Sequence, residues 1–182
     1  MTGFVDELRM QLQLGNISSG RVTIYYEVYQ RDTLNRGKLT PEINLTHIRR
    51  ILLVDDFERW RKVVASLLQQ NPEWQIIGEA SDGLEAIQKA EELRPDLILL
   101  DLGLPKLNGI KAARQIRELT PESKIIFLSQ ESSADVVQEA LSFGAQGYVV
   151  KTRVGSDLLA AVEAVLEGRQ FVSSGLITGG PG

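Results

Sequence analysis

The sequence of 182 residues contains no cysteine and one histidine, His47. Without cysteine the chain can form no disulfide, no thiolate nucleophile and no Cys-ligated zinc or iron–sulfur site. A histidine-based metal site or a Ser-His-Asp triad would depend on His47 alone. That residue lies in a polar stretch before the first strong apolar run, so we interpret it as a solvated side chain.

The chain also lacks long apolar runs and an excess of positive charge. No segment approaches the roughly 20 apolar residues that cross a bilayer. The N-terminus carries Asp6 and Glu7 and shows no signal-peptide pattern. The formal net charge of −4 argues against charge-driven binding of nucleic acid. We therefore expect a soluble, cytoplasmic chain with no membrane attachment, and its 43% of apolar residues can build a core.

From residue 50 onward, short apolar runs alternate with amphipathic stretches of helical period. The five runs lie at 51–54, 75–79, 97–100, 125–128 and 148–150. The first, third and fourth are solidly apolar, as in strands covered on both faces of a parallel sheet. The alternation predicts a doubly wound α/β fold with five parallel strands and five helices.

Residues that start or stop helices occur where this pattern requires them. Asn71-Pro72 should end the first helix, because proline cannot continue it. Asp82 and Glu85 resemble a capping pair at the start of the second helix. Gly144 and Gly168 are placed to close the fourth and fifth helices.

Both ends of the chain fall outside the alternating pattern. We divide the sequence into an N-terminal extension of unknown role at 1–47, a single domain at 48–171 and a flexible, Gly- and Ser-rich tail at 172–182. The extension is irregular. We expect it to contain a short helix over 4–14, a β-prone segment over 22–29 and a loop over 32–46.

Three acidic residues directly follow two of the predicted strands. Asp55 and Asp56 come after the first strand, and Asp101 comes after the third. With the strand order 2-1-3-4-5 these strands are neighbours at the switch point, where ligands bind in doubly wound sheets. One such aspartate is usually only a cap or turn residue. Three together repel one another unless a cation is present, and carboxylates are ligands that Mg²⁺ prefers.

Two further polar residues end strands on the same edge of the sheet. Ser129 ends the fourth strand and Lys151 the fifth. Taken alone, Ser129 would be interpreted as a cap or turn residue and Lys151 as a solvated lysine. Beside three acids, a hydroxyl and an ammonium suit a phosphoryl group, whose oxygens need charge-neutralising partners.

These motifs, in this order, resemble the receiver domain of two-component response regulators, and are most similar to the LuxR/NarL class. The resemblance covers about residues 49–171. It rests on LVDD at 53–56, GLEA at 83–86, LLDLGLP at 99–105 with Gly109, FLS at 127–129 and GYVVK at 147–151. It implies a flavodoxin-like receiver fold and a role in phosphorelay signalling and transcription regulation.

The resemblance also implies roles for residues at the sheet edge. Asp101 would be the phosphoacceptor, taking a phosphoryl group from a sensor histidine kinase. Mg²⁺ would be held by Asp55, Asp56, Asp101 and the backbone carbonyl of Gly103. Lys151 would pair with the phosphoryl oxygens.

A switch is implied as well. Ser129 would move to bond the phosphoryl group, and Tyr148 would turn inward as it does so. The surface formed by the fourth helix, the fifth strand and the fifth helix would change, and a homodimer through the fourth or fifth helix face is expected from this.

The chain departs from the family pattern in two ways. Thr152 follows Lys151 where many receivers have a cis proline, so we expect a trans bond or a differently shaped loop. About 14 residues follow Gly168, too few for a helix-turn-helix domain. We therefore expect either a stand-alone receiver or the receiver part of a longer LuxR-type regulator, with no direct DNA binding by this chain.

A Mg²⁺-dependent phosphohydrolase with an aspartate nucleophile is the competing enzyme interpretation. Such enzymes carry Asp-x-Asp after the first strand, whereas this chain has Asp55-Asp56-Phe57. We therefore expect no enzyme activity beyond slow self-dephosphorylation.

Overall fold

A computed structural model describes residues 48–174 in full, together with three strands of the N-terminal segment. The chain divides into two compact units, Met1–His47 and Ile48–Gly182. In the first unit, β1 (Arg9–Leu14), β2 (Val22–Tyr29) and β3 (Glu42–Leu45) form an antiparallel sheet in the order β1-β2-β3.

Two expectations for this N-terminal segment are wrong where it is described. Residues 9–14 form a strand where we predicted a helix, and their sequence RMQLQL alternates polar and apolar residues with the period of a strand. Residues 42–45 form a strand inside the predicted loop. The extension is therefore less irregular than expected, and the rest of it, with His47, lies outside the described residues.

The second unit alternates strands and helices throughout. Its elements are β4 (Arg49–Val54), α1 (Glu58–Leu68), β5 (Trp74–Ala80), α2 (Gly83–Leu93), β6 (Leu97–Asp101), α3 (Gly109–Leu119), β7 (Lys124–Ser129), α4 (Ala134–Ser142), β8 (Gly147–Val150), a 3₁₀ turn (Lys151–Arg153), α5 (Val154–Leu166) and β9 (Phe171–Val172). The sheet is parallel in the order β5-β4-β6-β7-β8-β9. This confirms the predicted doubly wound fold and its 2-1-3-4-5 order, with a sixth strand added at the β8 edge.

Two hydrophobic clusters, one on each face, hold the sheet between its helices. Successive residues of β4 belong to different clusters, because side chains alternate across a strand: Leu52 packs with α2, α3 and α4, whereas Leu53 packs with α1 and α5. Both side chains are fully buried. Coverage on both faces explains the unbroken apolar runs in the sequence.

The helix ends agree with the capping residues in the sequence. Asp82 is the N-cap of α2 and accepts hydrogen bonds from two backbone N–H groups, while Glu85 accepts one from the Ser81 N–H. Gly144 and Gly168 both have φ +85°, the left-handed conformation that glycine adopts after a helix. None of the helices among the described residues combines the length and apolarity needed to cross a membrane.

The segment after α5 is more ordered than the predicted flexible tail. Phe171–Val172 pair with Gly147 and Tyr148. Ser173 is fully buried; its N–H donates to the Tyr148 carbonyl at 2.9 Å, and its hydroxyl accepts from the Val150 N–H at 3.2 Å. Residues 175–182 lie outside the described residues.

Asp157 is a buried carboxylate near this C-terminal strand. Its hydrogen bond with Arg153 (Nε–Oδ2 2.9 Å), helped by bonds from Ser156 and Ser173, lowers its pKa to about 2. Because this pKa lies below the unfolded value of about 3.9, the ionised group stabilises the fold above pH 4, and that contribution is lost as pH falls through 2. We expect Asp157→Asn to lower the unfolding free energy by about 1 kcal/mol at pH 7, a modest value because Arg153 is half exposed.

Urea unfolding of the wild type and Asp157→Asn at pH 7 and pH 2 tests this expectation. The stability difference should shrink at the lower pH. Asp135→Asn is the control, since Asp135 is exposed in the first turn of α4. A difference for Asp157→Asn that is the same at both pH values would contradict the assignment.

Candidate functional site

The three predicted acids converge at the carboxyl edge of the sheet. Asp55 follows β4 and Asp101 ends β6, and these two strands pair directly. Carboxylate oxygens of Asp55, Asp56 and Asp101 all lie within 4.8 Å of one another. Asp55 and Asp101 are buried, whereas Asp56 is exposed.

Lys151 lies between the two buried acids. Its Nζ is 2.6 Å from Asp55 Oδ2 and 3.0 Å from Asp101 Oδ2, and its side chain is only 12% exposed. The bond to Thr152 is trans, as expected for a residue other than proline. The ammonium also lies 5.6 Å from the centroid of the Trp60 ring, within range of a cation–π contact. The sequence placed Lys151 on this edge of the sheet, but the ion pair with both acids emerges only from the fold.

Burial and neighbouring charge make ionisation of Asp101 less favourable than ionisation of an exposed aspartate. Burial raises its pKa, and the neighbouring charge of Asp55 raises it further, while Lys151 and the Gly103 N–H act in the opposite direction. A divalent cation would relieve the repulsion between these carboxylates. The oxygen donors therefore fit Mg²⁺, a hard cation that prefers carboxylates and water. The structure places the Gly103 backbone beside Asp101, while the ligand role of its carbonyl stays a prediction.

Ser129 and Tyr148 share contacts with one loop residue, Glu131. The Ser129 hydroxyl accepts a hydrogen bond from the Glu131 N–H at 3.0 Å. Tyr148 is fully buried, and its hydroxyl donates to the Glu131 carbonyl at 2.9 Å. Burial raises the pKa of Tyr148, and a hydrogen bond with Ser129 partly offsets this. The inward position that we predicted for Tyr148 in a switched state is thus already occupied here.

The acids open into a cleft of about 1010 Å³ at this edge. Its lining includes the predicted residues Asp56, Asp101, Gly103, Ser129 and Lys151. It also includes residues that the sequence did not mark as part of a site, among them Phe57, Trp60 and Asn108. Trp60 lies in α1, in a stretch whose sequence predicts only an amphipathic helix. A helical period shows which face of a helix meets the sheet, but not how near a residue lies to the strand ends.

Gly109, the first residue of α3, keeps this helix close to β6, the strand that ends with Asp101. A Cβ at Gly109 would lie 2.2 Å from the Asp101 carbonyl oxygen and 2.9 Å from Leu102 Cα. Because both are backbone atoms, we expect Gly109→Ala to lower the unfolding free energy by about 2 kcal/mol. Gly155→Ala in α5 is the control: its Cβ would have nothing within 4 Å, so it should stabilise the fold by about 0.5 kcal/mol.

Urea unfolding curves of the two alanine variants separate these effects. A stable Gly109→Ala protein with the wild-type midpoint would show that α3 can shift away from Asp101 at little cost.

Comparison with known proteins gives a consistent picture. A family model described as the response regulator receiver domain matches residues 51–163. The nitrate/nitrite response regulator NarL of Escherichia coli is 38% identical over 126 residues, which cover 69% of this chain and 58% of that protein. The transcriptional regulatory protein LiaR of Bacillus subtilis is 38% identical over 125 residues, covering 69% of this chain and 59% of LiaR.

A solved structure agrees with these sequence matches. A LuxR-family two-component response regulator from an Aurantimonas species superposes with a TM-score of 0.68 at 34% identity, covering 70% of this chain and 91% of that one. The chain spans somewhat more than half the length of the curated relatives it matches.

Proposed function

This chain belongs to the response regulator receiver domain family, and from that premise we propose that it accepts a phosphoryl group on Asp101 from a partner histidine kinase. The observation that carries the proposal is the pairing of Lys151 with both Asp55 and Asp101 inside an acidic cleft. A buried carboxylate beside a lysine and a hydroxyl has the groups that phosphoryl transfer needs, namely a nucleophile and charge-neutralising partners.

The transfer forms a bond between an Asp101 carboxylate oxygen and phosphorus and breaks the bond from phosphorus to the donor. The product is an acyl phosphate, and the released nitrogen of a phosphohistidine donor takes up a proton. Lys151 already contacts Asp101, so its ammonium can pair with the phosphoryl oxygens as they arrive. Ser129 is the last residue of β7, the strand next to β6, and it lines the same cleft. Its hydroxyl can donate a hydrogen bond to another phosphoryl oxygen.

Mg²⁺ would be held by the carboxylates of Asp55, Asp56 and Asp101 and by the Gly103 carbonyl. When bound, the ion supplies positive charge against the phosphoryl oxygens. The protein supports the site by burying Asp55 and fixing its carboxylate with the Phe57 N–H at 2.9 Å.

The contacts of Glu131 suggest how the signal leaves the site. The Ser129 oxygen accepts from the Glu131 N–H, so a turn of this side chain to donate its proton to a phosphoryl oxygen would change its bond to Glu131. Glu131 also binds the Tyr148 hydroxyl and lies shortly before α4. We therefore propose that phosphorylation rearranges the α4, β8 and α5 surface, and that a homodimer through α4 or α5 responds to it.

The relatives suggest the output. LiaR is named a transcriptional regulatory protein, and NarL a nitrate/nitrite response regulator. We propose that this receiver controls a transcription regulator, through a protein partner or through a DNA-binding domain of a longer protein. The chain itself, with a net charge of −4, should give no sequence-specific mobility shift with DNA.

Incubation with acetyl phosphate, a small phosphodonor, and MgCl₂ tests the proposed function directly. Intact-mass spectrometry should show addition of one phosphoryl group, and EDTA should prevent it. The phosphohydrolase alternative predicts continued turnover of p-nitrophenyl phosphate instead. No phosphoprotein at any donor concentration, or steady ester hydrolysis, would reject the proposal.

A further inference from the structure

Arg61 links α1 to the ends of two strands. It lies in the first turns of α1, and its side chain is only 15% exposed. Its Nη1 donates to the main-chain carbonyl of Asp55 at 2.7 Å. Its Nε donates to Glu79 Oε2 on β5, also at 2.7 Å. The guanidinium therefore bridges the loop after β4 and the neighbouring strand β5.

The carbonyl that Arg61 binds belongs to the peptide unit joining Asp55 to Asp56. A peptide unit is planar, so a hydrogen bond that holds its carbonyl oxygen also holds its N–H and the Cα of the next residue. The bond from Arg61 therefore restricts the backbone position of Asp56. The Asp55 side chain has anchors of its own, the Phe57 N–H and Lys151. The exposed Asp56 carboxylate forms no ion pair with another side chain of residues 48–174, so its placement depends on its backbone.

We propose that Arg61 is a positioning residue for the metal site: it holds the Asp55–Asp56 peptide so that Asp56 can act as a ligand, without contacting the ion or the phosphoryl group itself. The inference rests on the proposed function. Arginine suits this task because its planar fork makes two hydrogen bonds in fixed directions, whereas a lysine ammonium on a flexible stem does not. The Glu79 carboxylate accepts a hydrogen bond from the Arg61 Nε, which orients the guanidinium plane and offsets its positive charge.

Arg61→Lys isolates positioning from charge. The substitution keeps the positive charge, so a purely electrostatic role would leave Mg²⁺ affinity unchanged. Loss of the fork should weaken Mg²⁺ binding about tenfold, the lower end of what changes to residues behind metal ligands cause. Arg59→Lys is the matched control, because Arg59 is an exposed arginine two residues earlier on the same helix.

The measurement is a MgCl₂ titration followed by tryptophan fluorescence in a Trp74→Phe background. Trp60 then remains as the reporter in the cleft, whereas Trp74 lies at the other end of the sheet, at the start of β5. Urea midpoints of the same proteins separate affinity from stability. A residue that only stabilises α1 would lower the midpoint and leave the Mg²⁺ affinity of the folded protein unchanged.

Three results decide the proposal. Weaker Mg²⁺ binding by Arg61→Lys, with Arg59→Lys like the parent protein, supports it. Equal Mg²⁺ affinity in Arg61→Lys and the parent protein, or equal losses in both variants, overturns it while the proposed function stands. Absence of Mg²⁺ binding and of phosphoryl uptake in the parent protein overturns both.

Discussion

Asp101→Asn should not incorporate a phosphoryl group from acetyl phosphate and Mg²⁺. The neutral amide is a poor nucleophile and cannot form the acyl phosphate, so incorporation should fall by about a thousandfold or more. The fold should not suffer in proportion. Burial and the charge of Asp55 raise the pKa of Asp101, so the ionised carboxylate is itself costly in the folded state. We expect the variant to unfold at a urea concentration no lower than the wild type.

Intact-mass spectrometry and urea unfolding on the same preparations check this pair of expectations. Asp135→Asn is the control, because this exposed carboxylate of α4 should leave phosphoryl uptake at the wild-type level. Acid-labile phosphate on Asp101→Asn would show that a different residue is the acceptor.

Lys151→Met should change two properties in opposite directions. In the wild type the ammonium binds Asp55 and Asp101, the carboxylates that Mg²⁺ would need. Removing this competing positive charge should tighten Mg²⁺ binding about tenfold, equivalent to about 1.4 kcal/mol. The rate of phosphoryl uptake should nevertheless fall by about 10²-fold, because a charged partner of the transferring group is lost.

The same substitution should make stability depend on the metal. Without Lys151, two buried carboxylates lose their partner, which destabilises the fold in the absence of Mg²⁺. Added MgCl₂ should therefore raise the melting temperature of Lys151→Met more than that of the wild type. Lys111→Met, at an exposed lysine of α3, is the control and should match the wild type in all three measurements. Weaker Mg²⁺ binding by Lys151→Met would contradict the competition.

The sequence predicted the receiver unit well because its signals are local. Unbroken apolar runs identify strands buried on both faces, and Asp82 and Gly144 identify helix ends by backbone chemistry that involves only their neighbours in the chain. The N-terminal segment was predicted less well. Residues 9–14 alternate over only six positions, too few to outweigh the helical pattern that we assigned to 4–14.

The sixth strand shows a different limit of sequence analysis. Phe171–Val172 is two residues long and carries no pattern of its own. It becomes a strand because β8 offers an unpaired edge, and because Ser173 finds partners in the Tyr148 carbonyl and the Val150 N–H. A flexible tail is the ordinary prediction for such a segment, since these partners lie more than 20 positions earlier in the chain.

By itself the sequence determined which residues reach the carboxyl edge of the sheet. The apolar runs show where each strand ends, and the alternation with helices shows that the strands are parallel. Both patterns are local in the sequence, and together they place Asp55, Asp101, Ser129 and Lys151 at strand ends on one edge. Only the tertiary structure decided that Lys151 lies between two acids and that Arg61 binds the Asp55 carbonyl. These contacts depend on ångström-scale distances between separate elements, which the packing of helices against the sheet sets and no local pattern encodes.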